Sequence, residues 1–262
     1  MRTLKYVGIG IISLLINACM ITDNFAERGS GRMATEQRNV SGVIGVSLAT
    51  AGELFIETGT TESLRIEAED NLIPLIQTDV HDGVLTIQNR QPGHTRFTRS
   101  VHYYLTVNNL NSISISSSGD IQAPDLRAER FAISVSSSGD LKMGDLQTDA
   151  LTVNIFSSGD VTMGVLNARL LDVNINSSGN LSVGGGEVKR QNIVINSSGD
   201  YMAQNLASDE SSVSLNSSGD ATIRVRNQLT ANLNSSGDLH YLGNPTANIS
   251  KSSSGDIIRM GN

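Results

Sequence analysis

A Ser-Ser-Gly phrase, in most copies followed by Asp, returns through the second half of this sequence at a nearly constant interval. Five successive intervals between its glycines are 20 residues long, and the last two are 18. A flexible Gly/Ser linker has no reason to keep such a register, whereas a solenoid builds each of its stacked units from one repeat. The repeat glycines are Gly119, Gly139, Gly159, Gly179, Gly199, Gly219, Gly237 and Gly255.

Apolar and polar residues alternate between these glycines. After Gly139 the apolar positions are Leu141, Met143, Leu146, Leu151, Val153 and Ile155. A period of two indicates β-strands, and the longer step across Gly144 and Asp145 indicates a corner. Repeats stacked in register pair as parallel strands, so the sequence predicts an all-β fold, a parallel β-helix of about eight rungs over residues 111–262. The leucine-rich repeat has a similar period, but its Asn-containing consensus and its helical half are missing.

The first 18 residues have the organisation of a secretory signal peptide. Arg2 and Lys5 precede an apolar run from Val7 to Ile16, and a small residue ends the segment. A transmembrane anchor is the alternative, but a bilayer requires about 20 apolar residues. We therefore expect an exported protein from which residues 1–18 are removed.

Cys19, the only cysteine of the chain, follows this segment directly. The sequence Ile16-Asn17-Ala18-Cys19 resembles a bacterial lipobox, in which the cysteine is lipidated and becomes the new N-terminus. Cleavage without lipidation is the alternative. By the same resemblance, an Asp directly after the cysteine would retain a lipoprotein at the inner membrane. Met20 stands at that position, which favours a location at the outer membrane. We expect a lipid anchor on Cys19, with residues 19–39 as a tether because they show no periodicity.

Charge and motifs exclude several classes of function. Without residues 1–18 the chain has 17 basic and 26 acidic side chains, a net charge of −9. Such a protein is a poor partner for nucleic acid. The four histidines show no metal-ligand spacing, and neither a phosphate-binding loop nor a nucleophile elbow is present. We expect no cofactor, no metal site and no catalytic residues.

Residues 40–110 contain strand patterns without the 20-residue period. We expect them to form an irregular β region that packs on the β-helix and leads into it, so that residues 40–262 form one continuous domain. The order of residues 64–72, 79–85 and 110–113, followed by the Ser-Gly-Asp repeat, resembles the putative auto-transporter adhesin head GIN domain family. This resemblance implies a right-handed β-helix in a bacterial envelope protein, and it implies no catalytic residues.

The acidic residues of the repeat are the sharpest candidate for chemistry. Parity places them on the outer surface, one to a rung, and it places the Ser117 series inward as a buried hydroxyl column. We expect each Gly to supply a positive φ and each Asp to close a corner by bonding nearby backbone N–H groups. Bridging calcium ions and a glycosidase or lyase pair are the alternatives. The acidic residues are Asp120, Asp140, Asp160, Asp200, Asp220, Asp238 and Asp256.

A specific function is better sought where the repeat is broken. Phe156 replaces an outward Ser or Asn, Asn180 replaces an Asp, and residues 184–186 are a Gly triplet. Phe156 and Asn180 are therefore the candidate binding residues, beside an outward Asn column. In the last rung, we interpret Lys251 as a charged insertion that opposes the pairing of another strand with the open end of the solenoid.

Three hypotheses of function follow. The preferred one is a non-enzymatic envelope lipoprotein, an adhesin or surface scaffold whose polar face binds a glycan or an envelope protein. The alternatives are a polysaccharide-acting enzyme on the same β-helix and a calcium-stabilised repeat protein.

Overall fold

The computed structural model describes residues 26–252 and 254–261. The predicted signal peptide and Cys19 lie outside the described residues. Nearly every described element is a β-strand, and the exception is a 3-10 turn over Ile73–Leu75. No helix in the described part of the chain is long and apolar enough to cross a membrane.

Nine strands precede the Ser-Gly-Asp repeats. They are β1 (Glu27–Arg28), β2 (Met33–Arg38), β3 (Gly45–Ala49), β4 (Glu53–Thr58), β5 (Ser63–Glu69), β6 (Ile76–His81), β7 (Val84–Asn89), β8 (Thr95–Arg96) and β9 (His102–Val107).

Twelve strands form the repeats. They are β10 (Ser112–Ile115), β11 (Asp120–Ala123), β12 (Leu126–Val135), β13 (Leu141–Met143), β14 (Leu146–Ile155), β15 (Val161–Ile175), β16 (Leu181–Ile195), β17 (Tyr201–Leu215), β18 (Ala221–Leu233), β19 (Leu239–Leu242), β20 (Thr246–Lys251) and β21 (Ile257–Gly261).

Each repeat strand pairs in parallel with the equivalent strand of the next rung. Leu146 pairs with Leu166, and Ile155 pairs with Ile175, so the register equals the 20-residue period. The predicted parallel β-helix is confirmed, with about seven turns rather than eight.

Alternate residues of every strand point into the solenoid and stack as columns, which are sets of residues at one position in successive rungs. One column is Leu48, Ile115, Val135, Ile155, Ile175, Ile195, Leu215 and Leu233, all buried. Burial of such a side chain contributes about 1.5–3 kcal/mol, so the apolar alternation read from the sequence supplies the driving force of the fold.

Strands β3 and β4 form a rung of the same solenoid. β3 pairs in parallel with β10 and β4 with β11, and Asp120 N–H donates to the Gly52 carbonyl at 2.9 Å. This register aligns residues 46–54, VSLATAGEL, with residues 113–121, ISISSSGDI. The stacked rungs therefore begin within the region that we expect to be irregular, and the chain continues without a break at residue 110.

The first end of the solenoid is covered by the intervening segment. β7 and β9 stack in parallel behind β3 and β4. β5 and β6 then add antiparallel to them, and β2 adds antiparallel to β5. Residues 33–38 are therefore a strand and not part of a tether, which corrects that prediction. The pairing of Ala34 with Ala68 shows the reason, because one alternate face of β2 is packed against the core.

The period shortens from 20 to 18 residues between β17 and β18. The register shifts at two places, between Ala203 and Ala207 and between Ser208 and Glu210. Three residues of β17 are bypassed at the first place. At the second place, one residue of β17 lies opposite two residues of β18, so the two shifts together shorten the period by two residues. The shortened rung is therefore an internal irregularity of one corner, with the two flanking strands still in parallel register.

The last described rung ends with a charge at a core position. Leu233 pairs with Lys251 and Ala231 with Ile249, at the regular spacing of 18. Lys251 is thus not an insertion, because it occupies the column of Leu233. Its Nζ lies 2.9 Å from Asp256 Oδ1. A charge at the end of an apolar column on an edge strand opposes the addition of a further strand.

Replacement of Lys251 by Leu is expected to raise self-association. The variant would continue the apolar column at an edge that already exposes Ile249, and sheet edges of that kind pair with other chains. Light scattering across a concentration series measures this, with Lys142→Leu on an internal strand as the control. Equal association of both variants and the wild type would contradict the role of Lys251.

Candidate functional site

The acidic file of the repeat is a hydrogen-bonded ladder. In each rung, the Oδ1 atom accepts a hydrogen bond from the backbone N–H at the same position of the next rung, at 2.6–2.9 Å. Asp140 N–H, for example, donates to Asp120 Oδ1 at 2.9 Å. The carboxylates therefore join successive rungs, whereas the sequence predicts that each closes its own corner.

Close packing, and not a positive φ, explains the repeat glycines. None of the eight has a positive φ. Instead, a Cβ atom on each would lie 2.0–2.4 Å from a backbone carbonyl oxygen of the neighbouring rung. The corner backbones approach too closely to admit any side chain, which corrects the conformational explanation predicted from the sequence.

Asn180 continues the ladder. Its N–H donates to Asp160 Oδ1 at 2.8 Å, and its own Oδ1 accepts from Asp200 N–H at 2.8 Å. An amide oxygen thus takes the place of a carboxylate oxygen. Its binding role stays a prediction.

Removal of one ladder acceptor is expected to cost stability in proportion to the lost hydrogen bond. Asp160→Ala leaves Asn180 N–H without its acceptor and should cost about 1–2 kcal/mol. Asp160→Asn keeps an oxygen at the same place, as Asn180 does naturally, and should cost less than about 0.5 kcal/mol. Urea denaturation of both variants measures the difference. Equal costs would show that charge matters and the hydrogen bond does not.

The ladder does not form a calcium cage. Within the described residues, no group of three or more His, Cys, Asp or Glu side chains is placed to hold a metal ion. Each carboxylate also has Oδ1 engaged by backbone. Calcium ions take six to eight oxygen ligands, so one remaining oxygen per rung is a poor donor set.

The outward Asn column is also satisfied within itself. Asn196 Nδ2 donates to Asn176 Oδ1 at 2.7 Å, and Asn216 and Asn234 each repeat this bond to the previous rung at 2.8 Å. The Ser117 series is only half-buried and does not form the predicted buried column. Phe156 lies on the same face with 53% of its surface exposed, and its role as a binding residue stays a prediction.

A polar groove, which the sequence does not predict, runs along one corner of the solenoid. We call it the corner groove. It has a volume of about 430 Å³, and an adjoining hollow extends it to Lys189. Its side chains come from the end of β4, from the loop after β9, and from the corners of three successive rungs at the start of β12, the start of β14 and the equivalent part of β15. The polar residues that line it are Thr58, Asn108, Asn109, Asp125, Arg127, Asp145, Gln147 and Asn167.

Backbone groups orient three side chains of the corner groove. Asp125 Oδ1 accepts from Asp145 N–H at 2.8 Å, and Asp145 Oδ1 accepts from Val165 N–H at 2.7 Å. Asn109 Oδ1 accepts from Leu110 N–H at 2.9 Å. Arg127, Gln147 and Asn167 make no side-chain hydrogen bond or ion pair with another described residue. The groove therefore combines oriented acceptors with unpaired donors.

A buried carboxylate, Glu69, joins two segments at the covered end of the solenoid. Glu69 accepts hydrogen bonds from Gly31 N–H at 2.7 Å and from Thr98 N–H at 2.8 Å. Burial acts to raise the pKa of Glu69, but these bonds, with those from the Thr98 hydroxyl and Arg99 N–H, hold the pKa below its ordinary value of 4.5. The ionised carboxylate is the form that fixes the two segments.

Glu69 is expected to contribute stability that is lost in acid. Because its folded-state pKa is depressed, the contribution is complete above about pH 4.5 and falls as the pH drops through the folded-state pKa. The stability difference between the wild type and Glu69→Gln should therefore shrink as the pH falls below that value. Urea denaturation from pH 7 to pH 3 measures it. A difference that is independent of pH would contradict this account.

Comparison with known proteins identifies the family. The model of the family described as "Putative auto-transporter adhesin, head GIN domain" matches residues 44–245. This chain belongs to that family. The match begins at β3, which agrees with the first rung of the GIN-domain solenoid, and it ends just before β20, the strand that carries Lys251. No curated protein matches the chain.

Solved structures share the fold of this GIN-domain protein. A putative adhesin from Parabacteroides distasonis has 18% identity and a TM-score of 0.76, with 88% of this chain and 98% of that chain covered. A putative adhesin from Parabacteroides merdae has 20% identity and a TM-score of 0.76, covering 89% and 99%. A putative lipid binding protein from P. distasonis has 20% identity and a TM-score of 0.69, covering 89% and 99%. At these identities the likeness shows the fold.

Proposed function

We propose that this GIN-domain protein is an exported, non-enzymatic adhesin or surface scaffold, anchored to the outer membrane by a lipid on Cys19. The observation that carries the proposal is the family match over residues 44–245. The signal-like segment and the lipobox resemblance support export and anchoring. A rod whose rungs are joined by repeated hydrogen bonds suits a rigid surface that presents binding residues away from the membrane.

The uniformity of the ladder supports a non-enzymatic role. Hydrolysis of a glycosidic bond requires two carboxylates in different environments, one acid and one base or nucleophile. Asp140 and Asp160 instead accept the same bond from equivalent backbone groups. No described feature of the ladder favours the polysaccharide-acting enzyme.

Adhesion itself is the test of this function. Beads coated with the folded protein are expected to attach to bacterial or host-cell surfaces, or to bind envelope extracts, more than beads coated with the unfolded protein. Retention that is equal for folded and unfolded protein would overturn the adhesive role.

The anchor has a separate test. We expect Cys19→Ala or globomycin to change the size of the protein and move it out of the membrane fraction. Unchanged size and fractionation would overturn the lipid anchor and leave the adhesive role standing.

A further inference from the structure

The outer surfaces of the solenoid differ in how far their polar groups are satisfied. On the Asn column, each amide from Asn196 onwards donates to the previous rung. On the acidic ladder, the Oδ1 atoms from Asp120 to Asp238 are held by backbone. In the corner groove, Arg127, Gln147 and Asn167 keep all their side-chain donors and acceptors for a ligand. The surfaces that are most regular in sequence are therefore less available for binding than the groove.

The corner groove arises because the first repeat lacks a neighbour on one side. Residues 126–128 of β12 pair with β14, but no described strand pairs with their other edge. Thr58 and the loop at Asn108 and Asn109 form the opposite wall. The groove is therefore a gap in the wall of the solenoid, where the chain enters β10 without first forming a corner strand.

The two carboxylates of the groove are held in place. Glycines at 144 and 164 leave room for the two carboxylates, since a Cβ there would lie 2.2 Å from Asp125 Oδ1 and 2.4 Å from Asp145 Oδ1. Backbone N–H groups hold the same oxygens, so the second oxygen of each carboxylate keeps a fixed place at the groove. Side chains that are oriented before binding lose little entropy on binding.

The chemistry of the lining points to a neutral, hydroxyl-rich ligand. Carboxylate, amide and guanidinium groups alternate along the groove, and they can accept from and donate to neighbouring hydroxyl groups. A lipid chain would find few apolar side chains there. A polyanion would meet Asp125 and Asp145, and a polycation would meet Arg127. We propose that the corner groove binds a neutral oligosaccharide along the solenoid axis. This inference rests on the adhesive function proposed above.

The test combines glycan binding with two matched arginine variants. The purified full-length protein is screened against neutral oligosaccharides, acidic oligosaccharides and the lipid dihexanoylphosphatidylcholine, and the best neutral ligand is titrated by calorimetry. Arg127→Ala should weaken its binding at least about tenfold, because charge-assisted hydrogen bonds are lost. Arg130→Ala changes an exposed arginine on the same strand outside the groove and should leave binding unchanged.

Each outcome decides the inference. If Arg127→Ala fails to fold, the double variant Gln147→Ala with Asn167→Ala must show the same loss. The inference is overturned if no neutral oligosaccharide binds, if only acidic glycans or the lipid bind, or if Arg127→Ala binds as the wild type does. The bead assay separates the two proposals. If wild-type beads adhere but no neutral glycan binds, only the proposed ligand of the corner groove is refuted. If the beads do not adhere, the proposed adhesive function is refuted.

Discussion

Gly159→Ala is expected to destabilise the β-helix by about 4 kcal/mol or more, among the largest effects of a single substitution. The new Cβ would lie 2.2 Å from the Gly139 carbonyl oxygen and 2.8 Å from that of Ser137. Both atoms belong to the backbone of the preceding rung, so no rotamer change can relieve the clash. Gly159 N–H also donates to Ser137 O at 3.1 Å, and separating the rungs would lengthen that bond. Urea denaturation gives the free energy of unfolding.

Gly185→Ala provides the matched control. Gly185 is also a buried strand glycine, but the nearest atom to its Cβ position is 3.5 Å away, which is an ordinary contact. We expect its stability to stay within about 1 kcal/mol of the wild type. If Gly159→Ala and Gly185→Ala unfolded at the same urea concentration, the packing explanation of the repeat glycines would be wrong.

The repeat glycines show what a sequence can and cannot predict. Their spacing and the flanking alternation are sufficient to predict a parallel β-helix, because only a stacked structure keeps that register. The sequence does not, however, show why each of these positions requires glycine. A positive φ and a close neighbouring backbone both require the absence of Cβ, and the choice between them depends on the distance between rungs.

The missed elements share a different cause. The rung of β3 and β4 keeps the glycine and the apolar alternation, but it has Thr, Ala and Glu in place of Ser, Ser and Asp. The repeat motif is therefore not recognisable in this rung, although its backbone geometry is the same. Residues 247–250, ANIS, resemble residues 231–234, ANLN, in sequence, and this likeness predicts an insertion at Lys251. The strand pairing instead follows the spacing of 18. The corner groove depends on a strand that is absent from one rung, and a strand's absence leaves no motif in the sequence.

A buried polar network is a further element that the repeat pattern conceals. Gln191 and Ser211 occupy a column that holds Leu171 and Leu229 in the flanking rungs. Gln191 Nε2 donates to Ser208 Oγ at 3.0 Å and to Ser211 Oγ at 2.8 Å. Ser208 Oγ in turn donates to the Arg224 carbonyl at 2.9 Å. The network lies where the period changes from 20 to 18, and it satisfies polar groups at the register shift.

We expect Gln191→Leu to destabilise the protein by about 2–3 kcal/mol, even though Leu171 is the natural residue one rung away. Tyr201 O–H donates to Gln191 Oε1 at 2.9 Å from a fully buried site, and burial raises the pKa of Tyr201. The hydroxyl therefore stays protonated and requires an acceptor. A buried donor that loses its acceptor costs about 1–3 kcal/mol, and the two serines lose their donor from Gln191 as well.

A double-mutant cycle with Tyr201→Phe isolates the hydrogen bond. Tyr201→Phe alone leaves Gln191 Oε1 without this donor, whereas the double variant removes both polar partners together. Removal of both partners of a buried hydrogen bond costs less than removal of one, so the double variant should lose less stability than the sum of the two single losses. Urea denaturation of the four proteins gives the coupling free energy, which we expect to be about 1–2 kcal/mol. Strictly additive losses would mean that the two side chains act through packing and that their hydrogen bond contributes nothing to the stability of the shortened rung.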